Sequence, residues 1–186
     1  MKCVLAILLV AVASAQPQPT ILTGPTDWRF EKMPVPPQFA PRIPFKGFEE
    51  VRFAPGVFDN ASPNYFTYVF VLSLEGTPNL DPAALKDFLE KYYRGLSVAV
   101  GRPKGQSPDV SQMTATVSPA GPGHFTARVV FFDSFTDGRK ITLNIEGRVV
   151  HRPSKTGLVL LVSPQSKENN AWTKLHEIDA HIVLPD

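Results

Sequence analysis

Cysteine is almost missing from this chain: the single one, Cys3, stands ahead of a short apolar run near the N-terminus. A dominant charge is missing as well. Nineteen lysines and arginines face seventeen aspartates and glutamates, a formal net charge of +2. So weak a balance creates no large field to draw in a phosphate backbone or an anionic lipid surface, and nucleic acid is not an expected partner. No apolar stretch approaches the roughly 20 residues that a membrane-crossing helix needs. The glycines are scattered turn residues that form no phosphate-cradling loop, and no serine sits in a G-x-S-x-G elbow.

What is present begins with a leader. Lys2 gives a positive start, residues 4–12 are unbroken apolar, and Ala13-Ser14-Ala15 offers the small side chains that the shallow pockets of signal peptidase require. Residues 1–15 therefore read as a signal peptide cleaved between Ala15 and Gln16, and the mature protein as extracytoplasmic, secreted or periplasmic. A lipid anchor on Cys3 is not expected, because that cysteine precedes the apolar run rather than following it. Cleavage would leave a cysteine-free chain with no disulfide, no thiolate nucleophile and no cysteine-ligated metal. Its formal charge would fall by the one unit of Lys2, from +2 to +1. The mature chain would carry no transmembrane segment.

Residues 16–48 read as a proline-rich N-terminal arm, since nine of the nineteen prolines fall within residues 16–55. Pro34, Pro36, Pro37, Pro41 and Pro44 exclude a helix and favour extended backbone. Trp28, Phe30, Phe39, Phe45 and Phe48 are too apolar for a free linker, so the arm is expected to lie packed along the domain rather than to serve as a P-x-x-P docking ligand.

Residues 49–186 read as a single α+β domain. Residues 49–53 and 65–75 are strand candidates, the second apolar on both faces and so expected at the centre of a sheet covered on each side. Asp81 and Pro82 mark a helix start, and Leu85, Phe88, Leu89, Tyr92 and Leu96 follow in one apolar stripe that Gly95 or Gly101 closes. Residues 114–118, 125–132, 140–150 and 158–163 alternate with period two between turn signals, an antiparallel meander. A short helix is expected over 168–175 and a last strand over 178–184. The architecture that follows is a twisted antiparallel sheet of six or seven strands with one main amphipathic helix packed on one face. Strands and helices do not alternate, which disfavours a doubly wound nucleotide fold.

Two stretches carry side chains suited to chemistry. His176-Glu177-Ile178-Asp179-Ala180-His181 resembles a metal motif, but its histidines are five apart rather than four, and no third ligand is visible. Neither a metal nor a cofactor is expected. On the meander, Thr126 and Arg128 share a face with Thr142, Asn144, Glu146 and Arg148 by alternation. That face is either a solvated sheet surface with cross-strand ion pairs or a polar wall for an anionic or sugar-like ligand. Arg128, Asn144, Glu146, Arg148, Asp179 and His181 are the candidate binding residues. Asp133 and Asp137 flank a turn whose carboxylates are expected to bond their own backbone. Tyr92-Tyr93-Arg94 could form an aromatic-and-cation clamp, although Tyr92 already belongs to the apolar stripe.

The stretches 47–56, 65–76, 92–96 and 172–178 resemble a group of bacterial proteins of similar size that carry no assigned activity. The resemblance implies a bacterial, single-domain protein and brings no functional residues with it. The expected function is that of a non-catalytic binding or accessory protein for an unknown small molecule or protein. One alternative is a small hydrolase or isomerase whose acid/base groups, drawn from Asp179, His181, Glu177 and Glu146, converge only in the fold. Another is a subunit of an envelope assembly, which a large exposed apolar patch would favour.

Overall fold

The structure, a computed structural model, describes residues 20–184; the expected signal peptide and cleavage site lie outside them. It is an α+β fold. Seven strands, β1 (Arg29–Val35), β2 (Gly47–Phe53), β3 (Tyr68–Glu75), β4 (Ala115–Pro119), β5 (His124–Phe132), β6 (Lys140–His151) and β7 (Lys155–Ser163), join two helices, α1 (Pro82–Gly101) and α2 (Asn170–Asp179). The strand order is β1-β2-β3-β7-β6-β5-β4, and every neighbouring pair is antiparallel. Two meanders thus meet at the β3–β7 seam, the join that closes one sheet.

The centre of the sheet follows from its side chains. Tyr68, Phe70, Leu72 and Leu74 of β3 face α1, whereas Val69 and Val71 face α2, and all are buried. A strand apolar on both faces needs a layer on each. The first layer is α1, where Asp81 accepts from the Ala84 N–H at 2.8 Å and Pro82 occupies the first turn. Of its stripe, Leu85, Phe88, Leu89 and Tyr92 are buried, with Tyr93 beside them, whereas Leu96 at the far end is only half-buried.

Gly95 does not end the helix. It lies inside α1, and glycine is needed there because an added Cβ would stand 2.1 Å from the Phe39 carbonyl oxygen. Gly95→Ala would gain about 1 kcal/mol of helix propensity but force a backbone carbonyl to move, an overpacking cost of about 1–3 kcal/mol. A net loss of stability in thermal melts is the expected outcome, and a melting point raised by the substitution would refute this contact.

The second layer is α2. Asn169 caps it by accepting from the Ala171 N–H at 2.9 Å, and Trp172, Leu175 and Ile178 pack against Val69, Val71, Val159 and Leu161. Here the structure corrects the expected final strand. Ile178 takes the third place in a helical stripe, and the chain turns after Asp179, with the Ala180 N–H donating to His176 O at 3.0 Å and Ile182 N–H to Asp179 O at 3.1 Å.

The proline-rich segment is also more integral than a surface arm. Its residues 29–35 form edge strand β1, where Pro34 needs no partner on its open side. Trp28, Val35, Ala40, Ile43 and Phe45 are buried in the core. The expected boundary at residue 48 falls inside β2. Residues 21–28 are held by polar side chains of that strand: Glu50 accepts from the N–H groups of Ile21 at 2.7 Å and Leu22 at 2.8 Å, while Arg52 donates to the carbonyls of Leu22 and Trp28. Among the described residues no helix is long and apolar enough to cross a membrane.

Candidate functional site

The six candidate binding residues do not form an open wall. Arg148 Nε donates to Asp179 Oδ1 at 2.9 Å. Glu146 receives Lys167 Nζ at 2.5 Å and His176 Nε2 at 2.7 Å, and Asn144 Nδ2 donates to the Gln165 carbonyl at 3.3 Å. Burial alone would raise the Glu146 pKa; the hydrogen bonds from Lys167 and His176 outweigh it and hold the carboxyl below its usual value. These contacts tie β6 to α2 and the loop before it. At their partial exposure each is worth about 0–1 kcal/mol.

Arg128 stands on β5 opposite Asn144 and is exposed. His181 lies apart, its Nδ1–H donating to the Glu177 carbonyl at 2.7 Å. No group of three or more histidine, cysteine or acidic side chains could hold a metal among the described residues. The 133–138 turn behaves as its residues require: Asp133 accepts from the Phe135 and Thr136 N–H groups at 2.9 and 3.2 Å, and Asp137 from Arg139.

The other face of the sheet holds an apolar cavity of about 300 Å³, at the lower end of the range for small-molecule sites. Phe53 and Val51 of β2 and Tyr68 of β3 form one wall, and Tyr92 and Leu96 of α1 another. Phe39, Phe58, Phe66 and Phe135, all from connecting segments, complete it. Arg29 and Glu31, an ion pair on the edge strand, border the cavity. The Phe58 and Phe135 rings stack with centroids 4.5 Å apart, and Phe39 meets Tyr92 edge-on at 5.1 Å.

Phe66 is the one described non-glycine residue with positive φ, at 48°, a conformation unfavourable for a bulky side chain. Its N–H donates to Val57 O at 2.8 Å, and its ring packs against Tyr65, Phe131 and Phe135. The neighbouring contacts thus hold a strained backbone so that the ring reaches the cavity.

Behind the apolar lining lies a polar layer. The Tyr92 hydroxyl donates to Glu49 Oε1 at 2.8 Å, and the hydroxyls of Tyr68 and Tyr93 bond each other at 2.5 Å. Glu49 is fully buried, and its Oε2 has no partner among the described residues. Burial raises its pKa, Tyr92 lowers it in part and the charge of Glu31 raises it again, to about 7. Burial likewise pushes the three phenols upward. Sequence reading missed Glu49, although a signal existed: in a strand, adjacent Glu49 and Glu50 must point to opposite faces, so one carboxyl had to enter the α1 layer. Comparison with protein-family models, curated proteins and solved structures finds no match for this chain.

Proposed function

We propose that this is a non-catalytic extracytoplasmic binding protein whose ligand is a small apolar molecule held between the sheet and α1. The cavity carries the reading: an aromatic-lined space of about 300 Å³ with two phenol side chains in its wall. Sites of this kind combine a mostly hydrophobic lining with few polar groups. The extracytoplasmic assignment rests on Lys2, the apolar run and Ala13-Ser14-Ala15. The hydrolase or isomerase alternative draws less support, because Glu146 and Asp179 are engaged with His176, Lys167 and Arg148. The envelope-subunit alternative wants a broad apolar patch, and the described surface offers only Val183 as a large exposed hydrophobic.

Native mass spectrometry of protein purified from the envelope and the medium tests both halves. The expected species begins at Gln16 and carries an apolar adduct that organic extraction removes. A Leu96→Trp variant, which places an indole in the cavity, should lose the adduct and keep its fold. A polypeptide starting at Met1 would overturn the export assignment. An adduct retained by the variant would move the ligand elsewhere, and bare protein that also fails to take up an apolar dye would end the binding reading.

A further inference from the structure

The cavity is apolar within and charged at its rim. Arg29 and Glu31 stand two residues apart on β1, so both point to the α1 face, and the register sets Arg29 directly across from half-buried Phe53. The Arg29 guanidinium therefore has two neighbours at once. It pairs with the Glu31 carboxylate, and its carbon lies over the Phe53 ring, 5.9 Å from the centroid. The structure thus marks a place for a cation at the rim, with an aromatic face on one side and a carboxylate on the other. Its present occupant is weakly held. The Arg29 side chain is 65% exposed against 32% for Glu31, and a pair so open to solvent contributes little to stability. The arginine is the partner free to leave.

We propose that the ligand is an apolar molecule ending in a fully alkylated ammonium group, and that this group displaces Arg29 from its place between Glu31 and Phe53. This rests on the binding reading above and adds a charge to one end of that ligand. Burial of the apolar body between the sheet and α1 supplies the driving force, and Arg29 moves into water as the ligand enters. A primary ammonium would need acceptors for three N–H groups, and Glu31 is the one carboxylate lining the cavity. An alkylated ammonium has no N–H to satisfy, and its methyl groups suit the aromatic lining of Phe53, Phe58 and Phe135. An anionic end is disfavoured. It would meet the negative face of the Phe53 ring, the Glu31 carboxylate and, behind the lining, Glu49, which stands across from Met33 on the same side of the sheet.

The test uses three probes that share a phenyl ring and a tetrahedral head: phenyltrimethylammonium, tert-butylbenzene and benzenesulfonate. Their dissociation constants are measured by NMR titration of the whole protein at low salt, where rim charges are least screened. Phenyltrimethylammonium should respond to the rim in two opposite ways. It should bind about three- to fivefold more weakly to Glu31→Gln, and more tightly by a similar factor to Arg29→Gln, where the competing guanidinium is gone. tert-Butylbenzene should bind both variants as it binds the unaltered protein. Phe53→Leu should lower the affinity of the cation relative to tert-butylbenzene by about two- to fivefold, the share of one cation–π contact. If Phe53→Leu fails to fold, the two rim variants still decide, since neither residue belongs to the buried core. A cation that follows tert-butylbenzene in both rim variants would overturn the proposal and leave the cavity as an apolar site. Benzenesulfonate bound more tightly than the cation, and weakened by Arg29→Gln, would overturn it as well. Failure of all three probes to bind would overturn the binding reading itself.

Discussion

Phe88→Ala is expected to cost about 3–5 kcal/mol of folding stability, the range for emptying a large buried aromatic site. Phe88 is 0% exposed and sits in the middle of the α1 stripe. Its ring lies 5.9 Å from Phe45 of the proline-rich segment and 5.8 Å from Tyr92. The substitution therefore loosens three parts at once: helix, sheet and the segment that crosses them. Against a typical total of about 5–15 kcal/mol, that loss removes a large share of the fold's margin. The control is on the opposite side of the same helix. Lys86 pairs with Glu90 at 2.7 Å and Lys91 with Asp87 at 2.6 Å, both four residues apart and partly solvated. Alanine at either lysine should change stability by about 0.5 kcal/mol or less. Urea melts of the three variants compare the two faces directly. Equal costs for Phe88 and the lysines would mean that α1 is not oriented with this stripe toward the sheet.

The contrast between those two faces was legible in the sequence because period and caps agree. Asp81, Pro82 and a stripe spaced for a helix all point to one element, and the alternation through β5 and β6 fixes which side chains share a face. Where local signals conflict, tertiary contacts decide. The prolines of residues 29–46 argue against regular structure, yet an edge strand tolerates Pro34, and Trp28, Val35 and Phe45 gain more from burial than extended backbone loses. The β-branched residues near the C-terminus suggest a strand, but Ile178 completes a helical stripe with Trp172 and Leu175. The polar side chains of β5 and β6 lie on one face, as alternation requires; what covers part of that face, α2 and its preceding loop, lies far along the chain. The cavity was the least legible feature. Its aromatic residues come from four separate stretches, and the Glu49–Tyr92 bond spans 43 positions, a pairing that only the β2–α1 packing creates.

That same bond gives the second large expectation, a stability that falls as pH rises through neutrality. Folded Glu49 has its pKa raised from 4.5 to about 7, so between these values the native state holds a proton that the unfolded chain has released. The stabilisation is fully present below pH 4.5 and is lost as pH rises through about 7. Its size follows from the shift and is on the order of 3 kcal/mol. Glu49→Gln keeps the shape, cannot ionise and should lack this slope. Its amide still leaves one polar group without a partner, but that cost is the same at every pH. Other carboxyls act in the opposite sense: hydrogen bonds outweigh burial at Glu90 and Glu146 to hold both below the usual value, so their contribution is lost only in acid. Both proteins share those groups, and the difference between the two pH–stability curves isolates Glu49. Measured by urea melts, that difference should grow in favour of the variant between pH 4.5 and pH 8 by on the order of 3 kcal/mol. A flat difference curve would place the Glu49 carboxyl in water rather than between β2 and α1.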